Sequence, residues 1–541
     1  VTPVAVAATP RGGGSTRSLP LTPLPRPRPP RSPGRPREKV PLSLAANPVI
    51  PGFFPDPSVC RVGDTYYLAC SSFEYLPAIP VFRSTDLVRW EQVGNVIDRP
   101  GQVVFPADMP SSAGVYAPTL RHHDGRFRLI VTVVGAVGNV VFTATDPAGP
   151  WSDPIPLPGV PGIDPDLAWD DDGTCWCTVA GVSQVRIDPA TGETSGALRP
   201  LWSGGADAQA PEAPHLYHVG DHWYLLIAEG GTERGHAVSV ARSTSPTGPF
   251  EPCPDNPVLT HRGTHLPVQN TGHADLVQAP DGSWWMVLLG VRPGGGTPGW
   301  HVLGRETFLT PVTWEDGWPR PARVTEQVEV PWPVAPAADE RFRDDFDAAA
   351  LDPAWVTPRR LPAEVASTTS RAGHLTVTGT GATLDDPDVA FVGVRQRHRA
   401  LTVRASLDVA DGARGGLALR LDEEHHYEVD VADGVAMAVA RIGPLRTVVG
   451  SHPVGDGPVV VRIGITPTDG WDPRQGPDVV TLGVEAADGD LVELAALDGR
   501  YLSTEVAGGF TGRIVGPYAV EGDVAVDWVE VVPGPTAPSA G

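Results

Sequence analysis

The chain contains one lysine, Lys39, among 41 basic residues, and its 64 acidic residues leave a formal net charge of −23. So large a deficit of positive charge excludes nucleic acid and anionic membrane surfaces as partners. It suits an enzyme whose ligand is neutral or cationic. Cysteine is also scarce. Cys60, Cys70, Cys175, Cys177 and Cys253 are odd in number and scattered, which excludes a disulfide framework and lacks the tight spacing of a zinc site. Cys175 and Cys177 flank Trp176 on one face of an expected strand, and the five read as buried free thiols of a reducing compartment. No apolar run approaches the roughly 20 residues of a membrane helix. A sustained apolar segment with a small-residue cleavage site is missing from the start, so no secretory signal is read and a cytoplasmic location is expected. Helical periodicity is rare: apolar runs are short, alternate, and are cut by Gly, Pro or Asp-Gly turns.

Glycine and proline are plentiful, 61 of each, as a turn-rich β protein requires. A chain of 541 residues is too long for one ordinary core. Residues 1–45 are rich in Pro and Arg and cannot build a core, so they read as a disordered tail. Residues 46–335 then carry one phrase five times, opening at Asp56, Tyr116, Asp164, Glu212 and His273. Each copy runs through an apolar position to an Asp beside a Gly, at Asp64, Asp124, Asp172, Asp221 and Asp281. An aromatic-rich strand follows. A repeat of this kind, strand, tight turn and strand, predicts a five-bladed β-propeller. A Pro/Ala-rich linker at 331–338 precedes residues 342–535, where short strands separated by turns predict a β-sandwich. The fold class expected is therefore all-β, a propeller followed by a concanavalin-like sandwich.

Blades converge on one axis, so the residues that open the repeats should meet at one mouth. Asp56, Asp164 and His273 share a register, and Tyr116 and Glu212 stand one residue ahead of it. Two opposed carboxyls are what glycosidic cleavage needs: one protonates the leaving oxygen and one activates water. A third carboxylate can raise the proton affinity of the acid. Asp56, Asp164 and Glu212 match in kind and number. Asp166, two residues after Asp164, reads as a structural residue of the strand start. The run Asp170-Asp171-Asp172-Gly173 reads as a solvated blade turn, and Glu423-Glu424-His425-His426 as a solvated charge run. At least one of Trp284 and Trp285 is expected to pack between blades.

These stretches are familiar together. Asn47-Pro48-Val49-Ile50-Pro51-Gly52-Phe53-Phe54-Pro55-Asp56-Pro57-Ser58, Gly162-Ile163-Asp164-Pro165-Asp166, Pro211-Glu212-Ala213-Pro214-His215, Thr271-Gly272-His273-Ala274-Asp275 and Leu303-Gly304-Arg305-Glu306-Thr307 resemble glycoside hydrolase family 43. Phe391-Val392-Gly393-Val394-Arg395-Gln396 and Gly509-Phe510-Thr511-Gly512 resemble that family's C-terminal sandwich. The resemblance implies an exo-acting inverting hydrolase that releases β-D-xylose, or alternatively α-L-arabinofuranose, from neutral pentose oligosaccharides. It implies Asp56 as general base, Glu212 as general acid and Asp164 as the group that tunes and orients the acid, with base and acid about 6.5–9.5 Å apart. Phe73, Tyr116, His273, Arg305 and Phe510 become substrate-binding candidates. No cofactor is required, although the resemblance leaves room for a hydrated calcium ion beside His273 in the central channel. A homo-oligomer stays open. The third blade reads as short after Trp176, which would open or remove a leaving-group subsite. A sugar-binding propeller without catalysis would have lost one of the three carboxyls. A retaining fructosidase of related fold would carry Arg-Asp-Pro where this chain has Ile163-Asp164-Pro165, and the Gly-His and Trp-Asp phrase of WD propellers is missing.

Overall fold

The computed structural model describes residues 42–205, 208–334, 340–455 and 457–535. Most of the expected tail, residues 1–41, lies outside these. Among the described residues almost all regular structure is β, with one short α-helix at Thr504–Ala507 and 3-10 turns at Pro362–Glu364 and Gly499–Leu502.

The five repeats fold as five antiparallel sheets. Their first strands are Ser58–Val62, Thr119–His123, Asp166–Trp169, Glu212–Val219 and Gln269–Gln278. These strands touch in sequence, and the fifth touches the first, so they close a ring around an axis. The Asp/Gly turns join first to second strands at the far end, as at Val62↔Thr65 and Val219↔His222. The connections from second to third strands therefore lie on the opposite face, beside the residues that open the repeats. Their lengths differ. The third blade crosses from Val179 to Ser183 with only Ala180, Gly181 and Val182 between. The fifth crosses from Val291 to Glu306. The second blade crosses as briefly as the third, from Val134 to Gly138, so the crossings are short over the second and third blades and long on the side of the fifth.

The ring is fastened by the start of the described chain. Ser43–Ala46 pairs antiparallel with Gln327–Val330, and Asn47 exchanges two hydrogen bonds with the backbone of Leu309. This strand corrects the expected tail boundary. Its small residues carry no strong β signal, and the partner that orders them lies some 280 positions along the chain.

Residues 342–533 form two stacked sheets of eight and seven strands. Period-2 alternation explains them: on Leu401–Val409, Val403, Ala405 and Leu407 face the core while Arg404 faces out to pair with Glu485 and Glu530. The sandwich does not hang from a linker. Thr357–Pro358 adds as a strand to Tyr75–Leu76 of the propeller. Phe53, Phe73 and Tyr75 share one core with Val356, Phe391, Ile514 and Tyr518. Buried Arg420 donates to the Tyr75 hydroxyl at 2.9 Å and to Glu423 at 2.6 Å.

The solvated reading of the 423–426 run holds only for Glu424, which is exposed. Glu423 is largely buried, pairing with Arg359 and Arg420, and His426 is fully buried against Asp385. Arg359 and Asp385 lie tens of residues from the run, which a local reading cannot see. The other structural readings hold. Asp170 accepts from the backbone of Asp172 and Thr174 in an exposed turn. Trp285 packs on Trp332, and the five cysteines are free, four of them buried.

Candidate active site

Three of the five residues that open the repeats are strained in the same way. Asp56, Asp164 and His273 all adopt left-handed backbone, with φ of 55°, 52° and 48°. In the fourth blade the left-handed residue is Ala213, φ 48°, and a bulge lets Glu212 enter one position earlier. That is the physical content of the one-residue offset in the sequence. Left-handed non-glycine residues cluster where a structure over-determines its backbone for function.

Asp56 is 4% exposed and fully engaged. Its Oδ2 accepts the Ser71 hydroxyl at 2.6 Å. Arg305 forks onto the carboxylate at 2.9 and 3.4 Å. His273 Nδ1 stands 3.5 Å from Oδ1. Burial pushes the Asp56 carboxyl up, but Arg305, His273, Ser71 and His236 together hold it below its usual value. Asp56 is therefore an ionised acceptor.

Glu212 and Asp164 are held the other way. Burial raises Glu212 to about 7, with Asp56 and Glu233 adding to it and Arg305 opposing. Burial and the charges of Glu212 and Asp56 hold Asp164 well above the usual carboxylate range. Asp164 Oδ2 accepts the Ala213 N–H at 3.3 Å, so it grips the residue next to Glu212. The charge of Glu212 is among the causes that raise Asp164, so the two carboxyls stand close enough to repel. Glu212 has no hydrogen-bond partner among the described residues, which leaves its carboxyl free for a ligand.

An aromatic wall stands over Arg305. Its guanidinium lies 5.6 Å from the Phe73 ring and 5.4 Å from the Phe510 ring. Phe73 stacks on Phe510 at 5.6 Å, and Tyr116 meets Phe73 at 5.3 Å and Phe510 at 6.1 Å. Phe510 crosses from the sandwich. All eight site residues singled out from the sequence are thus brought together.

Other groups join them without a sequence signal. Thr232 Oγ1 accepts from Arg305 at 3.0 Å. His236 Nδ1 lies 3.0 Å from the Asn270 carbonyl, its Nε2 is buried without a partner among the described residues, and burial takes it down to about 3. Its ring lies flat on Gly272, where an added Cβ would stand 2.4 Å from it, so only glycine fits. A lone His after a Gly-rich run has no pattern of its own.

Beneath the mouth, all five blades contribute to one axial network. Arg121 donates to Asp275 and Asp166 at 2.8 Å each. Ser58 and Tyr217 also donate to Asp275, at 2.8 and 2.5 Å, and His215 Nδ1 lies 3.2 Å from Asp166. Asp166 is structural, as expected. This network also bears on calcium, which takes six to eight oxygen ligands. Asp275, on the same strand as His273, is already paired with Arg121, and Asp56, 3.5 Å from His273, with Arg305. Among the described residues no group of three or more His, Cys, Asp or Glu could hold a metal ion.

The sequence pattern of glycosyl hydrolases family 43 matches residues 45–319, and that of the β-xylosidase C-terminal concanavalin A-like domain matches residues 343–531. The chain belongs to glycosyl hydrolase family 43. The family 43 chain is 39% identical to a non-reducing end α-L-arabinofuranosidase of Bacteroides ovatus, over 87% of this chain and 90% of that protein. It is 35% identical to a xylosidase/arabinosidase of Butyrivibrio fibrisolvens, over 88% and 96% of the two chains. Its fold is similar to the crystal structure of a xylan β-1,4-xylosidase of Bacillus halodurans, with a TM-score of 0.82, 30% identity, and 90% and 100% of the two chains covered.

Proposed function

We propose that this family 43 hydrolase removes single terminal β-D-xylose units from xylo-oligosaccharides with inversion at the anomeric carbon. The observation that carries the chemistry is the opposite charge state of two carboxyls in one buried mouth. Asp56 is held ionised and Glu212 is held protonated toward neutral pH. Asp56 takes a proton from water as the water oxygen attacks C1. The C1–O bond breaks, and Glu212 gives its proton to the departing oxygen. Asp164 grips Ala213, so it fixes the backbone that carries the acid. Arg305 orients Asp56 through its two-pronged hydrogen bond. Phe73, Tyr116 and Phe510 supply an apolar wall for a pentose ring, and His273, taken by burial down to about 4, is a neutral neighbour.

A second reading is α-L-arabinofuranosidase, which the name of the 39% identical relative supports. Both sugars are neutral pentoses, and the same three carboxyls serve either. Assay on nitrophenyl β-D-xyloside and nitrophenyl α-L-arabinofuranoside side by side separates them. A higher kcat/KM on the arabinoside would transfer the conclusion to the second reading, and no turnover of either would remove both. NMR of the first-formed anomer tests inversion: a product with the substrate's own anomeric configuration would overturn it.

A further inference from the structure

The rim of the pocket holds a buried carboxyl that the reaction does not use. Glu74 follows Phe73 and is fully buried. Its Oε2 accepts the Ser112 N–H at 3.0 Å, and Oε1 has no partner among the described residues. Burial, opposed by Arg420 and assisted by Glu423, holds the carboxyl at about 7. Ser112 is strained in turn, with φ of 65°. Its Oγ accepts the Phe510 N–H at 2.9 Å. Gly509 has φ of 79°, and a Cβ there would stand 2.5 Å from that Oγ, so the sandwich turn presses directly on Ser112. The segment carrying Ser112 is clipped on both sides. Arg359 N–H donates to the Glu74 carbonyl at 2.6 Å, its Nε donates to the Met109 carbonyl at 2.6 Å, and Ser111 donates to Glu423.

An interface built for adhesion alone gains nothing from a half-satisfied buried carboxyl and a left-handed serine at its edge. Such costs persist where an exact position is being held. The position held here is that of Phe510, whose ring covers Phe73 and Arg305. We propose that Glu74 and Ser112 form a latch that fixes Phe510 over the sugar pocket. Both are then positioning residues for the terminal-sugar subsite, an inference that rests on reading the pocket as a pentose site.

The test uses the full chain, the variants S112A, E74A, E74Q and F510A, and the double variant S112A/F510A. Hydrogen exchange reads the latch without any substrate. The Phe510 amide should exchange about tenfold or more faster in S112A and E74A. It should stay protected in E74Q, whose amide oxygen can still accept from Ser112. Steady-state kinetics on the nitrophenyl pentosides read its consequence. S112A should raise KM about three- to tenfold with kcat within about twofold, as loss of uniform binding does. The double variant should be no worse than F510A alone, because Ser112 acts through that ring. Unchanged exchange in S112A, loss of protection in E74Q, or multiplying effects of S112A and F510A would each overturn the latch. If the wild type turns over neither pentoside, the functional reading fails, and the exchange arm still decides the latch.

Discussion

At the scale of single residues, the decisive feature is that chemically similar carboxyls are forced apart in proton affinity by their neighbours. Asp56 sits in the fork of Arg305, whereas Glu212 has burial and like charge and no partner. The pH dependence follows. The acid must be protonated, so kcat/KM should fall as pH rises through about 7. The base must be ionised, so the acid limb should lie below the ordinary Asp value of 3.8. A pH–rate profile checks both limbs. Glu212→Gln should cost about 10²–10⁴-fold on unactivated xylo-oligosaccharides while leaving sugar binding intact. Full activity in that variant would end the assignment. The same substitution should stabilise the fold in alkali. The folded Glu212 holds its proton to about 7 against 4.5 when unfolded, so its contribution is present below pH 4.5 and lost as pH rises through about 7. Glu212→Gln should therefore unfold at higher urea than wild type at pH 8, by on the order of 1–3 kcal/mol, with no gain at pH 4.

At the scale of elements, the five first strands are held by side chains as well as by the sheets. Arg121 of the second blade bridges Asp166 of the third and Asp275 of the fifth. Arg121 drives Asp275 down to about 2 against the push of burial, so this part of the stability is present above pH 3.8 and lost as pH falls toward 2. Removing the guanidinium leaves two buried carboxylates facing one another. Arg121→Leu should destabilise by about 3–5 kcal/mol, read as a lowered urea midpoint at pH 7. An unchanged midpoint would show that the axial network is not what joins the blades. The sequence shows Asp166 and Asp275 as members of the repeat, but nothing near them marks Arg121 as their shared counter-ion. Hydrogen bonding across blades depends on ring closure, which has no local period.

At the scale of the whole molecule, propeller and sandwich share a core, a strand pair and the pocket wall. They should therefore unfold together. Calorimetry on the full chain should show one cooperative transition, and two separated transitions would contradict the shared core. A propeller-only chain of residues 42–334 should lack the Phe510 wall and expose Phe53, Phe73 and Tyr75, so it should aggregate or lose most activity on pentosides.

The pattern of residues alone determined the architecture class, the five-fold repeat, the three carboxyls and the short third blade, because strand alternation and turn chemistry are local and each repeat restates them. It also marked Phe510, though only through resemblance, since a sandwich phenylalanine is ordinarily core. Tertiary structure decided the rest. Asp56 and Glu212 carry the same chemical group, and their opposite charge states come from Arg305 and His273 beside the one and from burial and the charge of Asp56 around the other, groups delivered by different blades. The run at 423–426 looks solvated by composition, yet Glu423 and His426 are paired with Arg359 and Asp385 from elsewhere in the sandwich. His236, Arg121, Glu74 and Ser112 have no spacing to betray them: electrostatics and packing act through space, and through-space neighbours here lie tens to hundreds of residues apart in the chain.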